Sequence, residues 1–419
     1  MEKIKIEGRD GLKLKGTVKI SGSKNAVLPA ITASLLTQDK LELRNVPLVK
    51  DVHTILTLMK GLGADSHLRR NTLAVQAKRI ASAEASYELV RAMRASILVL
   101  GPMLARSGKA VVALPGGCAI GLRPIDLHMN GLQKLGANIT LKHGYITAEA
   151  SRLQGADITF EKKTVGGTEN LMMAACLARG ETVLRNCARE PEVVCLGQLL
   201  VKMGAQVEGL GEEVMRIKGV AELGGAVHDI IPDRIEAGTF LVAGALTAGN
   251  LLLTDVEPAH LSTVIDKLRI SGAKVEVKKN HLRVTGSEVI RSQDITTSPY
   301  PGFPTDMQAQ FMVLMTRATG TSIITETIFE RRFSHVNELL RLGASIEVSG
   351  DKAIIRGPTP LSGAEVTATD LRASASLILA GLVAKGWTII NDVEHIDRGY
   401  ENIEEKLRRL GASIERISA

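Results

Sequence analysis

Six stretches of the chain are apolar on every side: NAVLPAITASLL, RASILVLGPMLARSG, ENLMMAACLARG, EAGTFLVAGALTAG, AQFMVLMTRATG and ASASLILAGLVAKG. Wound at helical pitch, none presents a continuous polar stripe, so each predicts a helix buried all round. A short β-rich run follows each helix, as in ETVLRN, NLLLTD, TSIITE and WTIIND. Next come a loop and a helix of the opposite kind. VNELLRLG and ENIEEKLRRLG set leucines at helical spacing against charges, the pattern of a surface helix. These second helices run into a recurring phrase: GLGAD, KLGANI, KMGAQV, ISGAKV and, twice, RLGASI. Its glycines are Gly63, Gly136, Gly204, Gly272, Gly343 and Gly411, each where a helix C-terminus favours glycine. Two strands complete the unit.

Successive phrase glycines lie 68 to 73 residues apart, so the chain is an internal repeat of six units. Each reads β-α-β-α-β-β after cyclic shift, which predicts an α/β fold. Six such units suit either a linear solenoid or two compact three-unit domains, and the chain ends favour the second. Only ASIERISA follows Gly411, which leaves the last unit one strand short, while IKIEGRDGLKLKGTVKI near the start has strand alternation and no helix. The expected organisation is therefore a three-unit domain over residues 22–230, inserted into a second formed by 1–21 with 231–419. A cleft on a double hinge between two lobes is the expected ligand site.

Composition narrows the function. The 419 residues include 52 basic and 45 acidic side chains, a net charge of +7, and only 3% aromatics. That modest basic excess suits small acidic ligands, and nucleic acid is not expected as a partner, because stacking platforms are scarce. The N-terminus has no apolar core of a signal peptide. Ala237 to Thr254 carries no charge, but its glycines and Asn250 mark buried core with a turn rather than a membrane span. The cysteines, at 118, 176, 187 and 195, have neither paired nor zinc-like spacing, so a reduced, cytoplasmic setting is expected.

Polar residues interrupt the apolar pattern at two recurring places. Ahead of the first helix of a unit stand Lys24 and Asn25, Arg94, Thr168 and Glu169, Arg234, Asp306 and Arg372. In the loop before the second helix stand Cys118 and Arg123, Glu190, Phe329 to Arg332, and Asp397 with Arg398. Helix N-termini attract anions, and guanidinium forks grip carboxylate or phosphate. Lys24, Arg123, Arg332, Arg372 and Arg398 together suit a small ligand with several negative charges. In EKKTVGGTENLMMAA, the N–H groups of Val165 and Gly166 with Lys162 either cradle a diphosphate or form a plain turn with solvated lysines. In YPGFPTDMQAQF, Asp306 is either a helix cap or, in a cleft, a general base. Cys118 in GGCAIGLRP joins a glycine-rich loop to a nearby cation, which makes a thiol accessible and poised; the other three cysteines read as buried core.

SGSKNAVLPA, MRAS, LPGGCAIGLRPIDLH, AREPEVV, PDRIEAGTF, FPTDMQAQF, ITETIFERRFSH, ATDLRASAS and HIDRGYENIEEKL, in this order over the whole chain, resemble the enolpyruvyl transferase family, in its sugar-nucleotide branch. The resemblance implies two inside-out α/β barrels of three units each. It also implies reaction of phosphoenolpyruvate with the 3′-hydroxyl of UDP-N-acetylglucosamine in peptidoglycan precursor synthesis. Carried over by position, Lys24, Arg123 and Arg398 meet the phosphate, and Arg332, Arg372 and Arg398 the carboxylate. Cys118 delivers a proton to the enol methylene. Asp306 is the base at the 3′-hydroxyl, Asn25 positions groups beside it, and Arg94 serves the sugar nucleotide. The nucleotide falls to Arg123, Pro124, Ile125, Asp126, Leu127, Lys162, Thr164, Val165 and Gly166, with Ile328 also on the substrate. Thr164 stands where the family often has serine, and keeps the hydroxyl. The resemblance implies no metal or cofactor, and the phosphonate epoxide fosfomycin as an inhibitor. Two rivals are the sister enzyme acting on shikimate phosphate, which lacks this cysteine loop, and a non-catalytic paralogue that binds sugar nucleotide.

Overall fold

A computed structural model describes residues 2–85, 87–114 and 125–418, apart from the side chains of residues 89, 91 and 92. All six apolar stretches form helices: α1 (Lys24–Thr32), α2 (Leu100–Ser107), α3 (Val165–Ala175), α4 (Arg234–Leu246), α5 (Gln308–Thr316) and α6 (Leu371–Val383). Every residue of α5 is buried, as is every residue of α4 after Arg234 and of α6 after Leu371. The uncharged run from Ala237 to Thr254 is the body of α4, a turn, and the strand Asn250–Thr254. Among the described residues no helix is long and apolar enough to cross a membrane.

The amphipathic helices, such as Pro191–Lys202 and Ile403–Arg409, bury one side and end in the recurring phrase. All six phrase glycines are left-handed, with φ between +89° and +104°. The alanine after each glycine donates its N–H five residues back, as from Ala64 to Met59 at 2.9 Å and from Ala412 to Leu407 at 3.1 Å. This doubly bonded C-terminal turn explains the dipeptide. Glycine takes the positive φ without penalty, and the alanine is small enough to bury.

One repeat shows the sheet logic. Asp157–Thr159 pairs in parallel with Glu181–Arg185 across α3, and the hairpin Gln206–Glu208 with Val214–Lys218 adds antiparallel to the second strand. The resulting order is first, second, fourth, third, and it recurs in the other sheets, with small additions in one. Three sheets borrow a strand from elsewhere in the sequence. Ala226–Asp229 lies parallel to Leu41–Arg44, and Lys15–Lys19 lies parallel to Asn250–Thr254. Glu2–Gly8 sits between Gly386–Asn391 and Ile414–Ser418, antiparallel to both.

The chain divides into two units, residues 2–21 with 232–418 and residues 22–231 as far as described, each around its own hydrophobic core. In both, the buried helices pack against one another and the sheets of their repeats. Among the described residues, each unit has three separate sheets rather than one continuous barrel wall.

The helix ends offer a matched test. Gly204 has φ +104° with no atom near an added Cβ, so Gly204→Ala meets backbone strain alone. A loss of about 1–2 kcal/mol is expected. Gly61 is the last residue of the helix Lys50–Gly61 and also has open space, so Gly61→Ala should be neutral or stabilise by about 0.5 kcal/mol. Urea unfolding of both variants checks the pair; equal effects would refute the assignment.

Candidate active site

In the unit containing residues 232–418, three acidic residues stand at the starts of the three buried helices. Asp233 caps α4, its carboxylate accepting from the N–H groups of Ile235 and Glu236 at 2.8 and 2.9 Å. Asp370 caps α6 in the same way, accepting from Arg372 and Ala373 at 2.8 and 3.0 Å. Asp306 lies in a single 3-10 turn, Thr305–Met307, between Pro304 and α5. Its carboxylate faces two guanidinium groups. Arg332 Nη2 donates to Oδ1 at 2.8 Å, while Arg372 donates to Oδ2 through Nη2 at 2.9 Å and Nε at 3.1 Å.

Both arginine side chains are only 5% exposed, against 26% for Asp306, so the cations are buried and the carboxylate is the accessible member. Burial alone would lower the pKa of Arg372. The facing Asp306 reverses this, with Tyr400 and Asp233 adding to it, and the net direction is up. The guanidinium also lies 5.4 Å from the centroid of the Tyr400 ring, whose hydroxyl is 2.9 Å from Thr239 Oγ1. Arg332 lies over Phe329 at 5.3 Å, and its Nη1 is buried with no hydrogen bond among the described residues. His335 is close behind. Burial holds its pKa down at about 4, aided by Arg332 and opposed by Asp370, so no further cation enters the cluster at neutral pH. Arg398 is half-buried and follows Asp397, which Arg416 grips at 2.7 and 2.9 Å. Ile328 is half-buried at the start of the loop leading to Arg332.

The other unit carries the remaining candidates. Ser23 caps α1, accepting from Ala26 N–H at 3.3 Å. Lys24 is the first residue of that helix, its ammonium 3.3 Å from Asp51, and Asn25 beside it is half-buried. Thr164 caps α3 by accepting from Gly167 N–H at 3.2 Å, and Val165 and Gly166 form its first turn. Lys162 is exposed, whereas Lys163 is tied to Glu213 at 2.8 Å. Ile125 is buried, Asp126 exposed and Leu127 half-buried at the start of the helix Asp126–Lys134. Arg94 opens the 3-10 segment Arg94–Val99 ahead of α2. Cys118, Arg123 and Pro124 lie outside the described residues. Cys176, Cys187 and Cys195 are buried, which pushes their thiols up to about 12, 11 and 11.

His128 belongs to this group and is not distinguished by sequence pattern. Asn170 accepts from Gly101 N–H through Oδ1 at 2.7 Å, so its amide nitrogen is what faces His128 Nδ1 at 3.0 Å. Nδ1 is therefore an acceptor and the ring proton sits on Nε2. Burial, helped by Arg94, lowers the pKa to about 4 and keeps the ring neutral. A Cβ placed on Gly166 would lie 3.6 Å from Nε2. A neutral N–H donor thus stands beside the first turn of α3. A single histidine in an amphipathic helix gives no such signal; only its contact with Asn170 does.

Comparison with known proteins bears on these arrangements. A family model described as EPSP synthase (3-phosphoshikimate 1-carboxyvinyltransferase) matches residues 9–407. The chain is 56% identical to the UDP-N-acetylglucosamine 1-carboxyvinyltransferase of Koribacter versatilis (strain Ellin345), covering 100% of this chain and 97% of that one. It is 57% identical to the enzyme of that name from Desulfatibacillum aliphaticivorans, with both chains fully covered. Among solved structures, the enolpyruvyl transferase NikO from Streptomyces tendae aligns over 100% of this chain and 99% of its own, with TM-score 0.89 at 25% identity. EPSP synthase from Acinetobacter baumannii shares the fold, with TM-score 0.76 at 19% identity over both full chains.

A buried acid in the same unit provides a pH test. Glu169 is 3% exposed on α3, and burial, reinforced by Glu192 and Glu190, raises its pKa well above the ordinary value. Its folded-state pKa exceeds that of the unfolded chain, so its contribution to stability is intact in acid and is lost as pH rises through the folded value. Glu169→Gln removes that loss. Between about pH 5 and about pH 9 the wild-type denaturation midpoint should fall relative to the variant's. Parallel profiles would mean Glu169 does not titrate as described.

Proposed function

The chain belongs to the EPSP synthase (3-phosphoshikimate 1-carboxyvinyltransferase) family, and we propose that within it this protein transfers the enolpyruvyl group of phosphoenolpyruvate to the 3′-hydroxyl of UDP-N-acetylglucosamine, releasing phosphate. The observation that carries this reading is full-length identity above one half to relatives named for that activity. The product feeds peptidoglycan precursor assembly, and so cell shape and division, in a cytoplasmic setting.

The chemistry follows from the residue types. A proton passes from Cys118 to C3 of the enol while the sugar oxygen bonds to C2 and gives its own proton to Asp306. The tetrahedral adduct then breaks its C2–O bond to phosphate, and loss of a proton from C3 restores the double bond. The C2–O electron pair leaves with the phosphate, so fixed cations that take up its growing negative charge lower that barrier. Arg332, Arg372 and Arg398 hold the carboxylate, Lys24, Arg123 and again Arg398 the phosphate, and Asn25 aligns the groups beside Asp306. Arg94, the residues from Arg123 to Leu127, Lys162, Thr164 to Gly166, and Ile328 hold the sugar nucleotide.

Asp306 has two tasks in this scheme. Without substrate it pairs with both Arg332 and Arg372. A substrate carboxylate that takes over both guanidinium groups frees Asp306 to accept the alcohol proton. Asp306→Asn is expected to fold and bind both substrates while losing about a hundred- to ten-thousandfold in turnover. Phosphate release with UDP-N-acetylglucosamine, run against shikimate 3-phosphate, measures this. Turnover within a few-fold of wild type would remove Asp306 as the base, and preference for shikimate 3-phosphate would overturn the substrate.

The thiols give a second test. Cys176, Cys187 and Cys195 are buried and hard to ionise, so electrophile labelling should discriminate. Fosfomycin held by the phosphate-binding cations is expected to leave one adduct, on Cys118. Cys118→Asp keeps a proton donor and should remain active and resist the epoxide, while Cys118→Ala should lose activity. Peptide mass mapping that finds the label on another cysteine, or a fully active Cys118→Ala enzyme, would make Cys118 structural.

A further inference from the structure

Glu326 is 4% exposed, in the loop after the strand Ala318–Thr325, and nothing in the chemistry above uses it. Its carboxylate nevertheless accepts four hydrogen bonds. Oε1 takes the hydroxyl of Thr297 at 2.9 Å and the N–H groups of Ile328 and Phe329 at 2.9 and 3.2 Å. Oε2 takes the hydroxyl of Thr305 at 2.8 Å. The Thr297 hydroxyl in turn accepts from Thr327 N–H at 2.9 Å, and its carbonyl accepts from the Thr327 hydroxyl at 2.6 Å.

Three of these four partners belong to two segments whose separation matters. Thr305 is the residue before Asp306. Ile328 and Phe329 open the loop that ends at Arg332. We propose that Glu326 is a positioning residue, which clamps the Asp306 turn to the Arg332 loop and so fixes the base against the guanidinium that receives the substrate carboxylate. The proposal rests on the functional reading above. A buried carboxylate is costly unless its lone pairs are filled, and here neutral donors fill them from both loops. Releasing any one donor unbalances the rest, so the clamp holds both segments at once. Asp306 and Arg332 meet at 2.8 Å. Displacements near 1 Å at such a contact cost on the order of a hundredfold in rate.

The test is the Thr305 hydroxyl, because valine matches threonine in shape but cannot donate. Thr305→Val is expected to lower kcat by about ten- to a hundredfold, with KM for UDP-N-acetylglucosamine within about threefold. Thr305→Ser keeps the donor and is expected to restore kcat to within about twofold. Thr305→Val at wild-type kcat, or Thr305→Ser as impaired as Thr305→Val, would overturn the clamp. Should Thr305→Val also melt earlier, a double-mutant cycle with Glu326→Gln decides. Coupled losses in kcat support the clamp, and additive losses overturn it. Asp306→Asn in the same assay separates the two readings. An inactive Asp306→Asn beside an unaffected Thr305→Val sinks only the clamp, whereas an active Asp306→Asn sinks the base itself.

Discussion

A helix with no polar face has to be buried on every side, and the rest of this structure depends on that constraint. The sides of α4, α5 and α6 are committed to packing, so their chemistry can appear only at their ends. The N-terminal end is the useful one, because its free N–H groups and dipole carry partial positive charge. In the unit containing these helices, Asp233 and Asp370 answer that charge as caps. Asp306 occupies the corresponding place on α5 but stands one 3-10 turn ahead of it, and its carboxylate turns sideways to the arginines.

Two buried cations against one carboxylate leave the cluster with a surplus positive charge. Stripping water from each ion costs several kcal/mol, and a single shared anion offsets this only in part. The arrangement is held in place by its surroundings: the Asp370 cap fixes the Arg372 backbone, and Tyr400 and Phe329 lie against the two guanidinium groups. The other unit pairs its first-turn cation in a similar way, Lys24 against Asp51. In both cases an internal acid moderates a cation whose proposed partner is the substrate. An arginine pair already desolvated and oriented gains more from an arriving carboxylate than a solvated pair would.

The sequence displays the period, the two helix types and the glycine-alanine phrase because these arise from contacts within a repeat, where spacing along the chain is spacing in space. It also puts Asp306 and Arg372 in equivalent slots of neighbouring repeats, with Arg332 at the other recurring place, the loop before the second helix. The direct grip of both arginines on Asp306 lies beyond that reading: Arg372 is 66 residues away, and a repeat pattern equates slots without saying which side chains meet. As a cap or a base Asp306 was readable; as the counter-ion of two buried guanidinium groups it was not. His128 and Glu326 escape for the same reason. Each is an unremarkable residue in its own segment, and each gains meaning from partners 42 and 21 to 29 residues distant.

Repetition also accounts for where variety is tolerated. The phrase glycine and alanine keep the same bonds in all six units, since a left-handed backbone and a buried methyl leave no alternative. The slot at the start of the buried helix has no such restriction. Its side chain leaves the packed layer, and the backbone there needs only a cap. It holds Lys24, Arg94, Arg234, Asp306 and Arg372, whereas Thr168 and Glu169, expected ahead of their helix, fall inside α3 and are buried. One kind of helix start thus presents cations and a carboxylate without altering the core that holds them. Charge can diverge at these positions while the strand order and the glycine-alanine turn are kept, and one acid among several cations suits a multiply anionic ligand.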